Sequence, residues 1–212
     1  MVTVPILYRD EYLVVVDKPS GFLVVPAPGR TGRTVVDLVS TQVGVRVQAV
    51  HRLDEETSGA LVIAIDPAAR SGMEALFREH AVERTYLALV ASVPSPPSGR
   101  IESRLSEGAD GIVRVVPTGG ERAVTHYETL DRRGRCSLIR CRLETGRRNQ
   151  IRAHMAALGC PVAGDRKYGY RPRPGESFRR LMLHSWRLGF RHPITGLPVE
   201  VEAAPREPEL RP

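Results

Sequence analysis

The amino-acid sequence predicts an α+β domain that contains many strands and few helices. Apolar, β-branched runs recur along most of the 212-residue chain, and such runs are typical of strands. Three segments place apolar residues at helical spacing, and they do not alternate regularly with the strands. This organisation favours a mixed, largely antiparallel sheet flanked by a few helices and loops, and it argues against a doubly wound parallel fold.

The first half of the chain supplies two of the three predicted helices. Thr34 is a suitable N-cap for a short helix that ends near Val43, and Pro67 is well placed to begin a helix that runs to about His80. Apolar runs bounded by turn residues predict the strands of this half. They lie at residues 6–16, with a turn at 9–11, and at 22–25, 60–65 and 85–90.

The second half predicts short strands, one helix and a closing pair of strands. Apolar and polar residues alternate from 101 to 142, which indicates antiparallel pairing. The segment 149–158 places three apolar residues on one helix face. The closing strands are predicted at 181–190 and 198–203. We expect one domain over residues 1–204, with a candidate subdomain hinge near 94–99 and a loose C-terminal tail at 205–212.

The charge of the chain is unevenly distributed. Its 31 basic residues exceed its 24 acidic residues, for a formal net charge of +7, and Lys18 and Lys167 are the only lysines. Residues 1–106 hold 11 basic and 12 acidic residues, whereas residues 107–212 hold 20 basic and 12 acidic residues. A neutral half and a basic half suggest a polyanion such as nucleic acid. The alternative is a solvated, arginine-rich surface.

Several function classes find no support in the sequence. No apolar run approaches the roughly 18 residues of a transmembrane helix, and the N-terminus does not have the pattern of a secretory signal. The cysteines are Cys136, Cys141 and Cys160, an odd number without a CxxC pair, as expected of reduced thiols in the cytoplasm. The six histidines form no HExxH pattern, so we expect no dedicated metal site.

A polar loop at residues 51–59, HRLDEETSG, leads directly into a predicted core strand. A carboxylate on a loop held by such a strand can act as a nucleophile or general base, and Asp54 is the candidate. Taken alone, the loop favours a salt-bridged surface turn over a catalytic role.

A second polar segment at residues 145–152, TGRRNQIR, crowds arginines and amide side chains into a turn and the start of a helix. Arg148 and Arg152 are four residues apart, so they share a helix face, and arginines at a helix start bind phosphate groups well. A further polar turn follows at residues 164–169, GDRKYG. Two such turns around a short helix suggest a functional rim.

These segments, taken together, resemble the RluA family of pseudouridine synthases over nearly the whole chain. The resemblance is carried by ILYRDEYLVVVDKPSG, HRLDEETSG, ERTYLALV, GGERAVTHYETL, LETGRRNQIRAHMAALGCPVAGDRKYG and LMLHSWRLGFRHPITG, in that order. It implies a pseudouridine-synthase-like catalytic domain that isomerises uridine within RNA, without cofactor or metal.

The resemblance also implies roles for individual residues. Asp54 corresponds to the essential carboxylate, and Arg152 to the arginine that pairs with it. Arg52 resembles the arginine that fills the gap left by the flipped nucleotide. Tyr86 resembles the tyrosine that packs on the flipped uracil, and Leu183 an apolar residue that lines the pocket.

The arginine-rich segment supplies the other predicted substrate contacts: Arg147, Arg148, Asn149 and Gln150. This chain departs from the usual family pattern at three positions. Arg84 stands where the family usually has lysine, which keeps the charge. Arg148 and Asn149 stand in the motif where threonine and histidine are common. The added charge of Arg148 is expected to alter RNA contacts.

The resemblance leaves the RNA substrate open. Because the catalytic motifs begin at residue 6, we expect a compact member without the small RNA-binding domain that precedes many relatives. Ribosomal RNA is the favoured substrate and tRNA the next, and we expect a monomer in the cytoplasm. Two alternatives remain: a catalytically silent RNA-binding module of the same fold, and an aspartate-dependent nuclease or glycosidase.

Overall fold

The computed structural model of the chain describes residues 2–174 and 176–212. The described residues form eleven β-strands, three α-helices and two short 3₁₀ turns, which confirms the predicted α+β class. All strand pairings given below are antiparallel, as the alternating pattern predicted.

The elements have the following bounds. The helices are α1 (Val35–Val43), α2 (Pro67–Arg78) and α3 (Gln150–Ala157). The strands are β1 (Ile6–Arg9), β2 (Leu13–Lys18), β3 (Gln48–Ala49), β4 (Ser58–Ala64), β5 (Glu83–Val90), β6 (Ser98–Glu107), β7 (Val113–Val116), β8 (Glu121–Arg133), β9 (Cys136–Leu143), β10 (Leu183–Arg191) and β11 (Pro198–Glu202). The 3₁₀ turns are Arg166–Tyr168 and Pro208–Leu210.

The chain divides into two compact units. The first unit comprises Met1–Arg84 and Ser185–Ala204, and the second comprises Thr85–His184 and Pro205–Pro212. Two of the three boundaries therefore fall inside strands β5 and β10, and the third follows β11, between Ala204 and Pro205. The segment 94–99, where the sequence predicts a hinge, lies wholly inside the second unit.

The first unit is built on a sheet whose central strand is β4. Strand β2 pairs with β1 on one side and β4 on the other, and β3 also pairs with β4. Every residue of β4 is buried. The register of β2 and β4 places Lys18 opposite Gly59, at the end of β4 that receives the polar loop 51–57. The core of this unit combines Val62 with Met73 of α2 and other apolar side chains.

Local sequence chemistry explains both helices of the first unit. Thr34 caps α1 in a capping box with Asp37, and Asp66 caps α2 through the backbone amides of the first turn. The strand predicted at 22–25 does not form. Its carbonyl groups at Leu23 and Val24 instead accept hydrogen bonds from the first backbone amides of α1, so this stretch caps the helix.

The second unit contains a sheet in the strand order β5-β9-β8-β6-β7. Strand β8 pairs over long antiparallel registers with β6 and with β9, and α3 packs against β6, β7 and β8. Leu105 and Ala123 of the sheet, Ala153 of α3 and Tyr168 of the 3₁₀ turn share one apolar cluster. This arrangement fixes the start of α3, where the arginine-rich segment lies.

The C-terminal segment is docked onto the second unit, so the prediction of a loose tail at 205–212 is wrong. Leu210 is completely buried. Arg180 donates from Nε and Nη2 to the two carboxylate oxygens of Glu207, each at 2.6 Å, and Arg133 donates to the carbonyl of Pro208 at 2.8 Å. The proline-rich composition that suggested mobility gave no sign of these distant partners.

Across residues 2–174 and 176–212, no helix is long and apolar enough to cross a membrane. In the same part of the chain, no group of three or more histidine, cysteine or acidic side chains is arranged to hold a metal ion. The three cysteines are buried and unpaired by disulfides.

Candidate active site

The loop that carries Asp54 belongs to the first unit. The end of β2 and the turn after it bind the backbone of this loop. Lys18, which has no exposed surface, donates from Nζ to the carbonyl oxygens of Glu55 at 2.9 Å and of its own neighbour Pro19 at 3.0 Å. The amide of Gly21 donates to the same Glu55 carbonyl at 2.9 Å. The residue directly after Asp54 is thereby fixed to the sheet.

Two further bonds complete this support. Ser20 Oγ donates to the carbonyl of Glu56 at 2.7 Å, and the amide of Thr57 donates to the carbonyl of Asp54 at 3.1 Å, which closes a turn within the loop. Lys18, Ser20 and Gly21 together therefore hold the backbone of the loop. Asp54 itself is half-buried, whereas Arg52 on the same loop is exposed. The first unit therefore presents a carboxylate and a guanidinium on a rigid loop.

His51 anchors the start of the loop. Its Nε2 accepts a hydrogen bond from the amide of Val62 in β4 at 3.1 Å, and its ring stacks on Phe77 of α2 at 4.3 Å between centroids. Burial, reinforced by the nearby charge of Arg84, lowers the pKa of His51 to about 3. The imidazole is therefore neutral near pH 7, as an accepting Nε2 requires.

Gly59 ends the loop at a position that no other residue fits. Its φ is +107°, and a Cβ there would lie 2.2 Å from the carbonyl oxygen of Ser185. The left-handed conformation alone favours glycine, and the close approach of the two backbones excludes a side chain.

Two predicted site residues lie on strands of the second unit. Tyr86 in β5 is 8% exposed and sits opposite Cys141 of β9. Leu183, the first residue of β10, is 3% exposed. Both side chains are held in well-packed surroundings, which suits a residue that packs on a substrate ring or lines a pocket.

Gln150 holds the arginine-rich turn together. Its Nε2 donates to the carbonyl of Val124 and to Thr125 Oγ1, both at 2.9 Å, and its Oε1 accepts from Thr145 Oγ1 at 2.8 Å and from the amide of Arg147 at 3.0 Å. These four bonds use the whole capacity of a side-chain amide. Gln150 therefore has a structural role in this turn, and its predicted contact with substrate stays a prediction.

The half-buried Arg147 and the exposed Arg148 are engaged in ion pairs at the surface. Arg147 pairs with Glu121 at 2.7 Å and also donates to a backbone carbonyl, and Arg148 pairs with Glu107. Exposed pairs of this kind contribute about 0–1 kcal/mol. A phosphate group can therefore replace either carboxylate at little cost.

Arg152 lies at the centre of a buried polar network. It donates from Nε and Nη2 to the two oxygens of Asp165, at 2.7 and 2.8 Å, and from Nη1 to Asn149 Oδ1 at 3.3 Å. Its guanidinium also lies over the ring of Tyr168, 4.9 Å from the centroid. Asn149, with a φ of +51°, donates from Nδ2 to Tyr168 Oη at 3.1 Å. The structure thus brings the predicted residues Asn149 and Arg152 together.

Comparisons with known proteins identify the family. A family model described as RNA pseudouridylate synthase matches residues 12–157. The chain belongs to this family. A ribosomal large subunit pseudouridine synthase D of Zymomonas mobilis is 37% identical, over 93% of this chain and 68% of the relative. An uncharacterised RNA pseudouridine synthase of Bacillus subtilis is 39% identical over the same shares of the two chains.

Solved structures agree with this assignment. The human RNA pseudouridylate synthase domain containing 1 superposes with a TM-score of 0.80 at 26% identity, over 96% of this chain and 84% of that one. The pseudouridine synthase fold and the enzyme class predicted from the sequence are therefore confirmed.

Three residues of this site region were missed by sequence reasoning. Lys18 carried one signal: it is one of two lysines in a chain that otherwise uses arginine, and its compact ammonium binds two carbonyl groups. Asp165 and Tyr168 lie in the polar turn 164–169, whose composition suggested function without assigning a role to either residue.

Proposed function

We propose that this pseudouridine synthase isomerises one or more uridines in structured RNA, with large-subunit ribosomal RNA as the favoured substrate and tRNA as the next. The name of the Zymomonas mobilis relative supports the ribosomal choice. The excess of basic residues in the second half of the chain suits an RNA backbone. We further propose that the enzyme acts as a cytoplasmic monomer.

The proposed reaction begins at Asp54. The carboxylate either attacks the anomeric carbon of the ribose or removes the 2′ proton, and in both routes the bond from C1′ to N1 of uracil breaks. The base then rotates, and C5 bonds to C1′ as the aspartyl ester is released or, in the other route, as the 2′ proton is returned. The C5 proton is lost to solvent, and N1 takes up a proton from solvent. No atom is gained or lost overall, so the isomerisation balances without a cofactor.

The observation that carries this proposal is the rigid support of the Asp54 loop. Two donors, Lys18 Nζ and the amide of Gly21, hold the carbonyl of Glu55, and His51 fixes the other side of the loop. A nucleophile or base works efficiently when its geometry is set before the substrate arrives. The buried ammonium of Lys18 favours a catalytic role for this loop over an ordinary surface turn.

The target uridine must leave its stack before reaction, which costs roughly a few kcal/mol. We propose that Arg52, exposed on the loop beside Asp54, enters the space that the nucleotide vacates. Arg147 and Arg148 are proposed to exchange their surface carboxylates for RNA phosphates. These contacts offset the cost of flipping.

Tyr86 is proposed to stack on the detached uracil and Leu183 to line the same pocket, in keeping with their burial. Arg152 is proposed to pair with Asp54 during the reaction, as the family resemblance implies. A guanidinium beside a carboxylate favours its ionised form, which both routes of the reaction require.

Mapping of pseudouridine in total RNA tests the substrate. A strain without the gene should lose pseudouridine at one or more positions of large-subunit ribosomal RNA. A plasmid copy of the wild-type gene should restore it, and a copy encoding Asp54→Asn should not. Unchanged ribosomal RNA together with a lost site in tRNA would replace the ribosomal assignment by the tRNA one. Unchanged RNA of both kinds would contradict the proposal.

A further inference from the structure

A buried ion pair in the second unit joins α3 to the turn that follows it. Arg152 and Asp165 meet through two parallel hydrogen bonds of 2.7 and 2.8 Å, and their side chains are 6% and 1% exposed. Removal of two charges from water costs several kcal/mol per ion, so such a pair is a poor source of stability. What the pair provides is a fixed orientation of the two side chains.

Asp165 is itself held firmly. Its backbone amide donates to the carbonyl of Val162 and its carbonyl accepts from the amide of Tyr170, both at 3.0 Å. Gly164, directly before it, has a φ of +82°, and a Cβ there would lie 2.0 Å from the carbonyl oxygen of Arg180. The turn is therefore packed backbone against backbone, and the carboxylate has a fixed place.

The guanidinium of Arg152 is oriented by this carboxylate more than by any other contact described above. The carboxylate of Asp165 accepts hydrogen bonds from Nε and Nη2 of Arg152. These two parallel bonds set both the plane and the direction of the guanidinium. Asn149 accepts from Nη1 at the longer distance of 3.3 Å, and the ring of Tyr168 supports one face. The edge formed by Nη1 and Nη2 lies outside the bidentate pair.

We propose that Asp165 is a positioning residue: it fixes the guanidinium of Arg152 so that the Nη1 and Nη2 edge faces the reacting groups. This inference rests on the proposed function, since it assumes that Arg152 takes part in the isomerisation. Asp165 acts through Arg152 and does not itself touch the RNA. Its charge matters only because it holds that edge in one direction.

The first test compares Asp165→Asn with Asp110→Asn. Asp110 also binds an arginine through both oxygens, Arg114 at 2.6 and 3.0 Å, yet it is exposed in the same unit. We expect kcat on uridine-labelled RNA to fall about 100-fold for Asp165→Asn, the scale of a misplaced catalytic group, with KM nearly unchanged. Asp110→Asn should leave both constants unchanged. Thermal unfolding confirms that each variant is folded.

A double-mutant cycle separates positioning from a general structural role. Arg152→Lys keeps the charge and loses the fork. If Asp165 acts only by orienting the fork, the double variant Asp165→Asn with Arg152→Lys should be no slower than Arg152→Lys alone. Losses in kcat that multiply would show that Asp165 acts independently of Arg152 and would overturn the inference.

An NMR measurement tests the geometry without any activity. The Nε proton of Arg152 should exchange slowly with solvent in the wild type and quickly in Asp165→Asn. Slow exchange in both proteins, or an unchanged kcat in folded Asp165→Asn, overturns the positioning role. Absence of pseudouridine formation by the wild type would instead contradict the proposed function, and the NMR result would still decide whether Asp165 orders the guanidinium.

Discussion

The two compact units differ in charge and in how they use their polar residues. The first unit holds 11 basic and 13 acidic residues, a net charge of −2, and the second holds 20 basic and 11 acidic residues, a net charge of +9. The first unit carries Asp54, and the second carries the arginine-rich segment. Attraction of an RNA backbone therefore depends on the second unit, whereas the start of the proposed chemistry depends on the first.

The kinds of contact differ in the same way. In the first unit, Lys18 and His51 bind backbone groups of the Asp54 loop or its neighbouring strand. In the second unit, Arg147 and Arg148 make exposed ion pairs with acidic side chains. A buried donor to a carbonyl is costly to remove, and an exposed ion pair is cheap to exchange. The comparison teaches that the Asp54 loop of the first unit is held by buried donors, whereas the surface arginines of the second unit make contacts that can be exchanged.

The largest expected effect is that of Lys18→Met. The change removes the ammonium from the carbonyl of Pro19 and leaves the carbonyl of Glu55 with the Gly21 amide, at a total cost of about 1–3 kcal/mol. We expect the free energy of unfolding to fall by about 1–3 kcal/mol. Turnover should fall as well, because the Asp54 loop loses part of its support. Urea unfolding and tritium release from labelled RNA measure the two effects.

Lys167→Met is the matched control. Lys167 is exposed and donates to the carbonyl of Gly111 at 2.8 Å, so its loss should change the free energy of unfolding by less than about 0.5 kcal/mol. Equal losses of stability in the two variants would break the contrast between the units.

A second pair of variants tests the close packing of the catalytic loop. Gly59→Ala puts a Cβ 2.2 Å from the carbonyl oxygen of Ser185, whereas Gly134→Ala, also at a positive φ, meets nothing within 4 Å. Backbone strain alone costs roughly 1–3 kcal/mol, so Gly134→Ala should lose about 1 kcal/mol and Gly59→Ala clearly more. Thermal unfolding provides the comparison, and a smaller loss for Gly59→Ala would contradict it.

Acidification should destabilise both units through buried histidines. Burial lowers the pKa of His51 to about 3 and that of His154, held by Ser103 and Thr125, to about 4. Unfolded histidines take up a proton near pH 6.5. Their stabilising contribution is therefore complete above pH 6.5 and falls as the pH is lowered, by at most about 1.4 kcal/mol per pH unit for each histidine.

The loss from His154 should end near pH 4 and that from His51 near pH 3. A series of urea unfolding curves from pH 7 to pH 4 measures the slope. His154→Gln should show a shallower slope than the wild type. Identical slopes would show that His154 is not held neutral in the folded protein.

The smallest expected effect is that of Arg148→Thr, and it should appear in binding only. Loss of one phosphate contact should reduce the slope of log affinity against log salt by about 1. Turnover at saturating RNA should stay unchanged, because the exchangeable contacts of the second unit do no chemistry. Filter binding at several salt concentrations tests this, and an unaltered slope would show that Arg148 does not reach a phosphate.

Predictions from sequence succeeded where the determining contacts are local. The capping box of α1 joins Thr34 to Asp37, three residues away, and Pro67 begins α2 as expected. The polar loop 51–59 was recognised because its motif is contiguous. Sequence reasoning missed contacts whose partner is remote. Gln150 is bound by β8, 25 residues earlier, and Arg180 holds the tail through Glu207, 27 residues later.

The same reason explains the residues that were missed. Lys18 acts on a carbonyl 37 residues away, and Asp165 reaches Arg152 only because a turn returns the chain to α3. Residue type and spacing indicate that a polar side chain is present, whereas its partner depends on the tertiary fold. The roles of these two residues became visible only through distances and burial.

The central claim is that Asp54 performs the chemistry while the second unit provides the RNA affinity. Its most direct test is tritium release from ribosomal RNA labelled at C5 of uridine, measured with RNA binding for wild type and Asp54→Asn. The account predicts release by the wild type, none above background by Asp54→Asn, and RNA affinity within about twofold, since no phosphate contact is lost. Near-normal release by Asp54→Asn would contradict it.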